Sequence, residues 1–234
     1  AGADIRKDAT DFTIAANLKA NDTPAWNNNE EDFNFSHRGF IATVSPLAIP
    51  ADIPNIIAWN ASAFRYFENG SRSDTINPLL YRQAQLNNIN GLFEVQPGIY
   101  QVRGFDVSVM TLVKTNTGWI VIDPLASVET ARAAMNLANR SLGSYPVKAV
   151  IYSHPHADHY QGVEGVISAA EARDRRVEII APEHFMEHAL SENVYAGNAM
   201  QRRAVYQFGS LLPRDSKGLV DIGIGKTIST GTAS

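Results

Sequence analysis

The sequence predicts an α/β layered domain, and three observations lead to this fold class. From Gly91 onward, short alternating apolar segments are separated by turn residues, which is typical of an antiparallel meander. After residue 118, apolar strands alternate with amphipathic helices, as in layered α/β domains. The chain of 234 residues is 44% hydrophobic, so it has enough apolar side chains for one sizeable core.

Residues 1–90 are predicted to form an N-terminal arm with short helices. Residues 1–45 are polar and Asn-rich with weak periodicity, so we expect an extended arm with one short helix near its start. The stretch "NPLLYRQAQLNN" predicts a further short helix, in which Asn77 is the N-cap and Pro78 takes the first position.

Residues 91–234 are predicted to form the layered domain itself. "LFEVQPGIYQVRG" indicates a hairpin that turns at Pro97-Gly98, and "DVSVMTLVKT" and "GWIVIDP" indicate the next two strands. "SVETARAAMNLANRSLG" predicts an amphipathic helix that Ser127 caps and Gly143 ends.

The strand–helix alternation continues through the second half of this domain. "VKAVIYSH" is a continuous apolar run that predicts a strand buried on both faces, and "VEIIAP" predicts another short buried strand. Helices are predicted over "VEGVISAAEAR", "EHFMEHALSEN" and "GNAMQRRAVYQFG", the last ending at Gly209.

Composition and the two ends of the sequence limit the partners, metal ligands and location that we expect. The net charge of −4 gives no reason to expect a nucleic acid as partner. The chain has no cysteine, so a metal would need imidazole and carboxylate ligands. The start at Ala1 suggests a processed protein, periplasmic or secreted, and the Gly/Ser/Thr-rich end "GLVDIGIGKTISTGTAS" suggests a chain cut inside a domain.

The stretch "YSHPHADHYQGVEG" places three of the six histidines next to a predicted strand end. Ligands of open α/β sheets bind beyond the carboxyl ends of strands. His154 and His156 alternate like strand-end residues and can share one ion, while Asp158 and His159 can reach a second. Imidazole and carboxylate suit Zn²⁺. The alternative is a polar surface loop that happens to be rich in histidine.

These residues also carry a family resemblance. "SHPHADH" matches the HxHxDH motif of the metallo-β-lactamase superfamily, whose fold is an αβ/βα sandwich. The flanking stretches "NPLLYRQAQLNNINGLFEVQPGIYQVRGFDVS", "TGWIVIDPLASVETA" and "HFMEHALSENVYAGNAMQRRAVYQFG" resemble one branch of it, the type III, zinc-dependent alkylsulfatases that hydrolyse dodecyl sulfate-like esters.

The resemblance implies two Zn²⁺ ions and a role for each residue of the motif. His154 and His156 would bind the first ion, and Asp158 and His159 the second, with Asp158 also the candidate catalytic residue. Asp123 resembles the aspartate that steadies the ligand loop from outside, and the alternative is a strand-end cap.

The resemblance covers only the N-terminal portion of an alkylsulfatase. In that family two glutamates and a histidine further along complete the site, whereas here no histidine follows His188 and no glutamate follows Glu192. We therefore expect the N-terminal half of the sandwich plus its arm, inactive without the C-terminal part, which would be its partner in a homodimeric enzyme. A truncated product and a minimal protein that completes its site by self-assembly are the alternatives.

A sulfate ester also needs cationic or amide donors for its oxygens. The candidates for substrate binding are Asn198, Arg202 and Tyr206, on the last predicted helix, and the alternative is a solvated helix face. Thr230 and Thr232 in the Gly-rich tail are weaker candidates for the same pocket.

Two further motifs compete with this interpretation. "HFMEH" has the H-x-x-E-H spacing of a metallopeptidase helix, with His184 and His188 as ligands, but a helix with a polar face explains it as well. "GIGKT" is similar to a phosphate-binding loop, but Val220 stands where that pattern requires glycine, so we reject it.

The function that we expect is hydrolysis of a primary or secondary alkyl sulfate to alcohol and sulfate. The sequence leaves open whether attack falls on sulfur or on carbon. The alternatives are a non-catalytic scaffold with an incomplete metal site and a hydrolase of the same fold that acts on a lactam, thioester or phosphodiester.

Overall fold

The computed structural model describes residues 6–22, 29–67 and 72–234. Its helices are α1 (Asp11–Asn21), α2 (Glu31–His37), α3 (Pro78–Leu86), α4 (Val128–Leu142), α5 (Ala169–Arg173), α6 (Phe185–Leu190) and α7 (Gly197–Phe208). The strands are β1 (Phe40–Ala42), β2 (Ala48–Pro50), β3 (Ile57–Asn60), β4 (Gly91–Gln96), β5 (Ile99–Arg103), β6 (Met110–Lys114), β7 (Trp119–Ile122), β8 (Val147–Ile151) and β9 (Glu178–Ile180).

Four short helical turns join these elements. Three are 3₁₀ turns, at Ala61–Phe67, Ala157–His159 and Val163–Gly165, and one is a π turn at Ser191–Tyr195. No helix in the described ranges is both long and apolar enough to cross a membrane.

Seven strands form one mixed sheet in the order β1-β4-β5-β6-β7-β8-β9, and β2 pairs with β3 separately. The pairs from β1 to β7 are antiparallel, and β7, β8 and β9 run parallel to one another. The parallel pair β7/β8 requires a crossover, which α4 supplies. The α/β fold class is confirmed, and the sheet matches the metallo-β-lactamase fold of the sequence prediction.

The main core lies between α4 and one face of this sheet. Trp119 and Val121 of β7 are fully buried in the same cluster as Ala131 and Ala134 of α4. Full burial of a side chain such as that of Val121 contributes about 1.5–3 kcal/mol. Ile120, on the opposite face of β7, is only partly buried.

The four predicted capping residues are confirmed. The Asn77 side chain accepts a hydrogen bond from Leu79 N–H at 2.9 Å, with Pro78 in the first position of α3. The Ser127 hydroxyl caps α4 by accepting from Thr130 N–H, and Gly143 ends that helix with a φ of 95°. Gly209 ends α7 in the left-handed conformation.

The prediction that the strand in "VKAVIYSH" is buried on both faces was wrong, and so was the prediction that the strand in "VEIIAP" is buried. In β8 only Val150 is buried, and all three residues of β9 are exposed. β9 is the last strand of the sheet, so it lacks a neighbour on one side. An apolar run shows that a strand can be buried, but it does not show how many of its faces are covered.

Three other boundaries differ from the sequence prediction. "VEGVISAAEAR" is not one helix, because Ser168 and Glu171 form a capping box that starts α5 separately from the 3₁₀ turn before it. The strand predicted over "DVSVMTLVKT" begins only at Met110. The arm contains a second helix, α2, and residues 23–28 of the arm lie outside the described ranges.

Candidate metal centre

The candidate site lies where two neighbouring parallel strands end. Ile122 of β7 pairs with Ile151 of β8, so the residues that follow these strands meet at one edge of the sheet. Asp123 comes directly after β7, and its N–H donates to Ile151 O at 3.0 Å. The loop that begins at Ser153 follows β8 and carries the histidine motif, which is the position expected from the fold class.

The loop brings the four residues of the motif into one cluster. His154 Nε2 lies 2.8 Å from His156 Nδ1, and the ring centroids of His154 and His159 are 4.0 Å apart. His159 Nε2 lies 3.2 Å from Asp158 Oδ2. These contacts join imidazole and carboxylate groups of the motif in pairs.

Asp123 contacts the cluster through Ser153 and His159. Its carboxylate accepts hydrogen bonds from Ser153 N–H at 2.8 Å, from the Ser153 hydroxyl at 2.6 Å and from His159 Nδ1–H at 2.8 Å. Asp123, His154 and His159 each offer a ligand atom within 4.8 Å of the others. Because both Asp123 oxygens are already engaged, we assign it the orienting role; through Ser153 it also caps the end of β8.

The backbone at Asp123 is in an unusual conformation. Asp123 has a φ of 58° and Leu125 a φ of 65°, which is the left-handed region that non-glycine residues seldom adopt. Aspartate tolerates this region better than most residues, and each such position costs on the order of 1–3 kcal/mol. The turn thereby aims the Asp123 carboxylate back at Ser153 and His159.

The proton balance of the cluster follows from these contacts. Burial lowers the pKa of His159, but hydrogen bonds to Asp123 and Asp158 outweigh that effect and raise the pKa to about 9. Burial raises the pKa of Asp123 and Asp158, but their contacts with His159 outweigh it and leave both pKa values below the ordinary range. Burial, together with the neighbouring imidazoles His159 and His156, lowers the pKa of His154.

A second loop supports the cluster from the β5–β6 connection. The Ser108 hydroxyl donates a hydrogen bond to the backbone carbonyl of Asp158. Two residues earlier, the buried Asp106 carboxylate accepts from Val107 N–H at 2.8 Å and from the Thr130 hydroxyl at 2.7 Å. The ligand loop is therefore tied to the start of α4 as well as to the sheet.

The histidine loop closes on α4 through two glycines. A Cβ at Gly162 would lie 2.2 Å from Pro124 O, and one at Gly165 would lie 2.2 Å from Val128 O. Both distances are shorter than any normal contact, so only glycine allows the loop to approach α4 this closely. Gly162 N–H also donates to Leu125 O at 3.0 Å.

The three candidates for substrate binding lie on α7 and are exposed. The Tyr206 side chain is 91% exposed, and Asn198 and Arg202 are exposed as well. Over the described part of the chain, no hydrogen bond or ion pair links these three side chains to the histidine cluster. Their role in substrate binding stays a prediction.

The tail threonines are engaged elsewhere. The Thr230 hydroxyl donates to Ile57 O at 3.0 Å, and the Thr232 hydroxyl donates to a Glu129 carboxylate oxygen at 2.9 Å. The structure therefore does not bring Thr230 and Thr232 together with the α7 candidates.

The H-x-x-E-H stretch does not form a metal site among the described residues. His184 precedes α6 with a φ of 59°, so it does not share a helical face with His188. The His184 side chain contacts Glu183 and Glu187, and it is 62% exposed. The interpretation as a polar surface therefore explains this stretch better than a metallopeptidase.

A cavity of about 530 Å³ lies beside the β5–β6 loop. Arg103, Asp106, Ser108 and Lys226 are among its lining residues, and none of the four motif residues lines it. Ser108 is the residue that connects this cavity to the loop of Asp158.

Sequence reasoning missed three residues that contact the ligand loop. Ser153 immediately precedes His154, so its position next to the motif was the available signal. Ser108 is distant in sequence and gave no signal. Glu192 lies in the π turn and places its carboxylate oxygen 2.8 Å from His156 Nε2, and nothing in the spacing of the sequence indicates this.

The arrangement of donors fits a divalent metal. Each histidine has one ring nitrogen held by a neighbour: His154 Nδ1 by Ser153 at 2.9 Å, His156 Nε2 by Glu192 and His159 Nδ1 by Asp123. The other three nitrogens contact motif residues, because His154 Nε2 and His156 Nδ1 lie 2.8 Å apart and His159 Nε2 lies 3.2 Å from Asp158 Oδ2. Imidazoles held in this way by outer hydrogen bonds are typical of metal sites, and the donor set suits Zn²⁺.

Comparison with known proteins gives an independent account of the same chain. The profile of the metallo-β-lactamase superfamily matches residues 103–234. Linear primary-alkylsulfatase from Pseudomonas sp. is 46% identical over 234 residues, which cover 99% of this chain and 34% of that protein. Alkyl/aryl-sulfatase BDS1 from Saccharomyces cerevisiae is 42% identical, over 97% of this chain and 35% of that protein.

Solved structures agree with these sequence relatives. The stereoselective inverting sec-alkylsulfatase Pisa1 from Pseudomonas sp. superposes with a TM-score of 0.88 and 42% identity, covering 97% of this chain and 35% of that structure. The chain spans about a third of the length of the curated relatives it matches. With the profile match, the sheet order and the histidine cluster in agreement, the chain belongs to the metallo-β-lactamase superfamily.

Proposed function

We propose that this chain carries the first metal-binding half of an alkylsulfatase site, which hydrolyses alkyl sulfate esters such as dodecyl sulfate with two Zn²⁺ ions. The observation that carries the proposal is the convergence of His154, His156, Asp158 and His159 in a chain whose relatives are named alkylsulfatases. The reaction adds one water across the C–O–S linkage and releases the alcohol and hydrogensulfate.

The four motif residues would hold the ions in pairs. His154 and His156 would hold one ion, and Asp158 and His159 the other. When bound, the ions would supply Lewis-acid polarisation of the ester and a lowered pKa for water. Asp123 keeps the His159 ring in one orientation, and Ser153 links the Asp123 carboxylate to His154.

Each zinc ion of a catalytic site takes about three protein ligands, and the motif provides two for each. We therefore propose that residues outside this chain complete the site. For the substrate, we propose that Asn198, Arg202 and Tyr206 of α7 donate to the sulfate oxygens, because a guanidinium and an amide match a sulfate group by hydrogen bonding.

A hybrid protein tests this function directly. Residues 1–234 would replace the aligned third of the Pseudomonas relative that is 46% identical. With zinc present, we expect the hybrid to hydrolyse dodecyl sulfate faster than a β-lactam, a thioester or a phosphodiester. Running the reaction in ¹⁸O-labelled water places the label in the sulfate if attack is on sulfur and in the alcohol if attack is on carbon.

The controls make the result interpretable. The same hybrid with His154→Ala should lose turnover, and circular dichroism of both proteins checks that they fold. A folded, zinc-loaded hybrid that cleaves one of the other three substrates and leaves dodecyl sulfate intact would refute the proposed substrate. A folded, zinc-loaded hybrid that cleaves none of the four would favour a non-catalytic scaffold.

A further inference from the structure

The ring nitrogens of the three motif histidines divide into two sets. His154 Nε2 and His156 Nδ1 approach each other at 2.8 Å, and His159 Nε2 lies beside Asp158. The second nitrogen of each ring points outward to a partner. Two of these partners, Ser153 and Asp123, belong to the strand ends described above, and the third, Glu192, comes from a different part of the chain.

Glu192 reaches His156 from a π turn between α6 and α7. Its carboxylate oxygen lies 2.8 Å from His156 Nε2, which is the nitrogen that faces away from His154. The turn is defined by the hydrogen bond from Ala196 N–H to Ser191 O, which spans one residue more than an α-helical bond. Such π turns are frequent at functional sites.

The neighbouring residue makes a parallel set of contacts. The Asn193 amide donates to Ala189 O at 2.8 Å, and it lies 3.5 Å from Pro155 O and from the Tyr160 hydroxyl. Pro155 lies between the first two motif histidines and Tyr160 follows His159, so two consecutive residues of the π turn contact the ligand loop. The π turn thus acts on the loop at more than one point.

We propose that Glu192 is a positioning residue that fixes the tautomer and orientation of His156. By accepting a hydrogen bond from His156 Nε2–H, it leaves His156 Nδ1 without a proton and able only to accept, at 2.8 Å from His154 Nε2. The proposal rests on the metal site of the proposed function and extends it, because it adds a residue outside the motif that orients His156. A carboxylate behind a ligating imidazole also raises the basicity of that ligand.

The competing explanation is an ordinary surface ion pair. The His156 side chain is 54% exposed and that of Glu192 is 29% exposed, and exposed pairs contribute little to stability. A surface pair would leave the His156 tautomer free to exchange, whereas a positioning contact fixes it. The tautomer therefore separates the two explanations without any metal being present.

Long-range ¹H–¹⁵N correlation spectra of the imidazoles in the metal-free chain at pH 8 measure that tautomer. We expect the Nε2–H form of His156 in the wild type, with the resonances assigned by a His156→Gln variant. Glu192→Ala should populate both tautomers, while Glu192→Gln should retain Nε2–H because its amide oxygen still accepts. Glu187→Ala removes a nearby exposed carboxylate that pairs with His184 and should change nothing at His156.

A Co²⁺ titration followed by absorption spectroscopy gives the second measurement. Glu192→Ala should weaken Co²⁺ binding about 10–100-fold relative to the wild type and to Glu187→Ala. Unchanged tautomer populations in Glu192→Ala, or an unchanged Co²⁺ affinity, would overturn the proposal. If the wild-type chain binds no Co²⁺, the proposed metal site fails, and the tautomer spectra still decide the role of Glu192.

Discussion

Asp123 shows how one side chain can organise several others. Its two oxygens accept three hydrogen bonds, from the Ser153 backbone and hydroxyl and from His159, and its left-handed backbone is what aims them. The carboxylate thereby fixes which nitrogen of His159 remains available to the cluster. This contact is the chemical reason to place Asp123 behind the ligands and not among them.

At this scale we predict that Asp123→Asn weakens metal binding about 10–100-fold. The amide lacks the charge that holds His159 Nδ1–H, and its nitrogen cannot accept from Ser153. Isothermal calorimetry with Co²⁺ measures the affinity. Asp174→Asn, which removes an exposed charge next to Arg176, is the matched control and should bind as the wild type does. Equal affinities in the two variants would contradict the orienting role.

His159 predicts a pH dependence of stability in the metal-free chain. Its pKa is raised to about 9 in the folded state, so the folded chain keeps a proton that the unfolded chain releases near pH 6.5. The stabilisation that protonated His159 contributes is therefore complete below pH 6.5, and it is lost as the pH rises to 9. The loss is on the order of 3 kcal/mol.

Urea denaturation between pH 6 and 9.5 measures this effect. The wild type should lose more stability over that range than His159→Gln, because glutamine cannot titrate. If the two proteins show the same slope of unfolding free energy against pH, then protonation of His159 does not stabilise the folded chain.

The sequence indicates the ligands of the site but not their supports. His154, His156, Asp158 and His159 stand in a spacing with chemical meaning, so they could be predicted from one stretch. Two of their three outer partners lie 36 positions away, Asp123 from His159 and Glu192 from His156, while Ser153 adjoins His154. No local pattern encodes these pairings, because the sheet and the π turn create them.

At the scale of elements, the ligand loop depends on its close packing against α4. Gly162 lies where a Cβ would meet Pro124 O at 2.2 Å and Ser127 O at 2.6 Å. These are backbone atoms of the turn that carries Asp123, so any shift there moves the orienting carboxylate too. Loop, turn and helix start form one packed unit.

We predict that Gly162→Ala destabilises the chain by about 1–3 kcal/mol, because the new methyl group must displace backbone atoms. Gly197→Ala is the matched control, since a Cβ there meets nothing within 4 Å and the residue lies in α7. That change should leave stability unaltered or raise it by up to about 1 kcal/mol. Thermal unfolding followed by circular dichroism measures both, and equal effects would contradict the packing account.

Features that depend on neighbouring residues in the sequence could be predicted. The burial of a strand could not, because it depends on which other elements pack against it. Asn77, Ser127 and Gly143 act on their own helices, so the sequence identifies them as caps. The exposure of β9 depends on its position at the sheet edge, which its own residues do not reveal. The π turn at Ser191–Tyr195 likewise has no sequence signature.

At the scale of the whole molecule, the buried Asp106 connects three distant parts of the chain. Besides Val107 N–H and the Thr130 hydroxyl, it accepts from Ala126 N–H at 3.2 Å and from Ser229 N–H at 3.3 Å. The β5–β6 loop, the start of α4 and the C-terminal segment therefore meet at one carboxylate. Burial raises its pKa, so these donors offset a real desolvation cost.

We predict that Asp106→Ala destabilises the chain by about 3 kcal/mol or more, because it leaves several buried donors without an acceptor. Asp174→Ala, at an exposed ion pair, should change stability by less than about 0.5 kcal/mol. Chemical denaturation of the three proteins measures the difference. A loss in Asp106→Ala no larger than that in Asp174→Ala would show that the network is not stabilising.

The fold class could be predicted because strand and helix periods are strong signals over residues 91–209. The joining of β1 to the sheet could not be predicted, because β1 contains only three residues and pairs with β4 about 50 positions later. Long-range pairings of this kind are fixed by the assembled sheet and not by the short strand itself.

The central claim is that the histidine loop of this chain is a metal site, and a Zn²⁺ titration of the chain by isothermal calorimetry tests it most directly. We predict saturable binding to the wild type that His154→Ala abolishes or weakens at least about 10-fold, and that His184→Ala leaves unchanged. Binding that survives His154→Ala, or that is lost in His184→Ala, would contradict the claim.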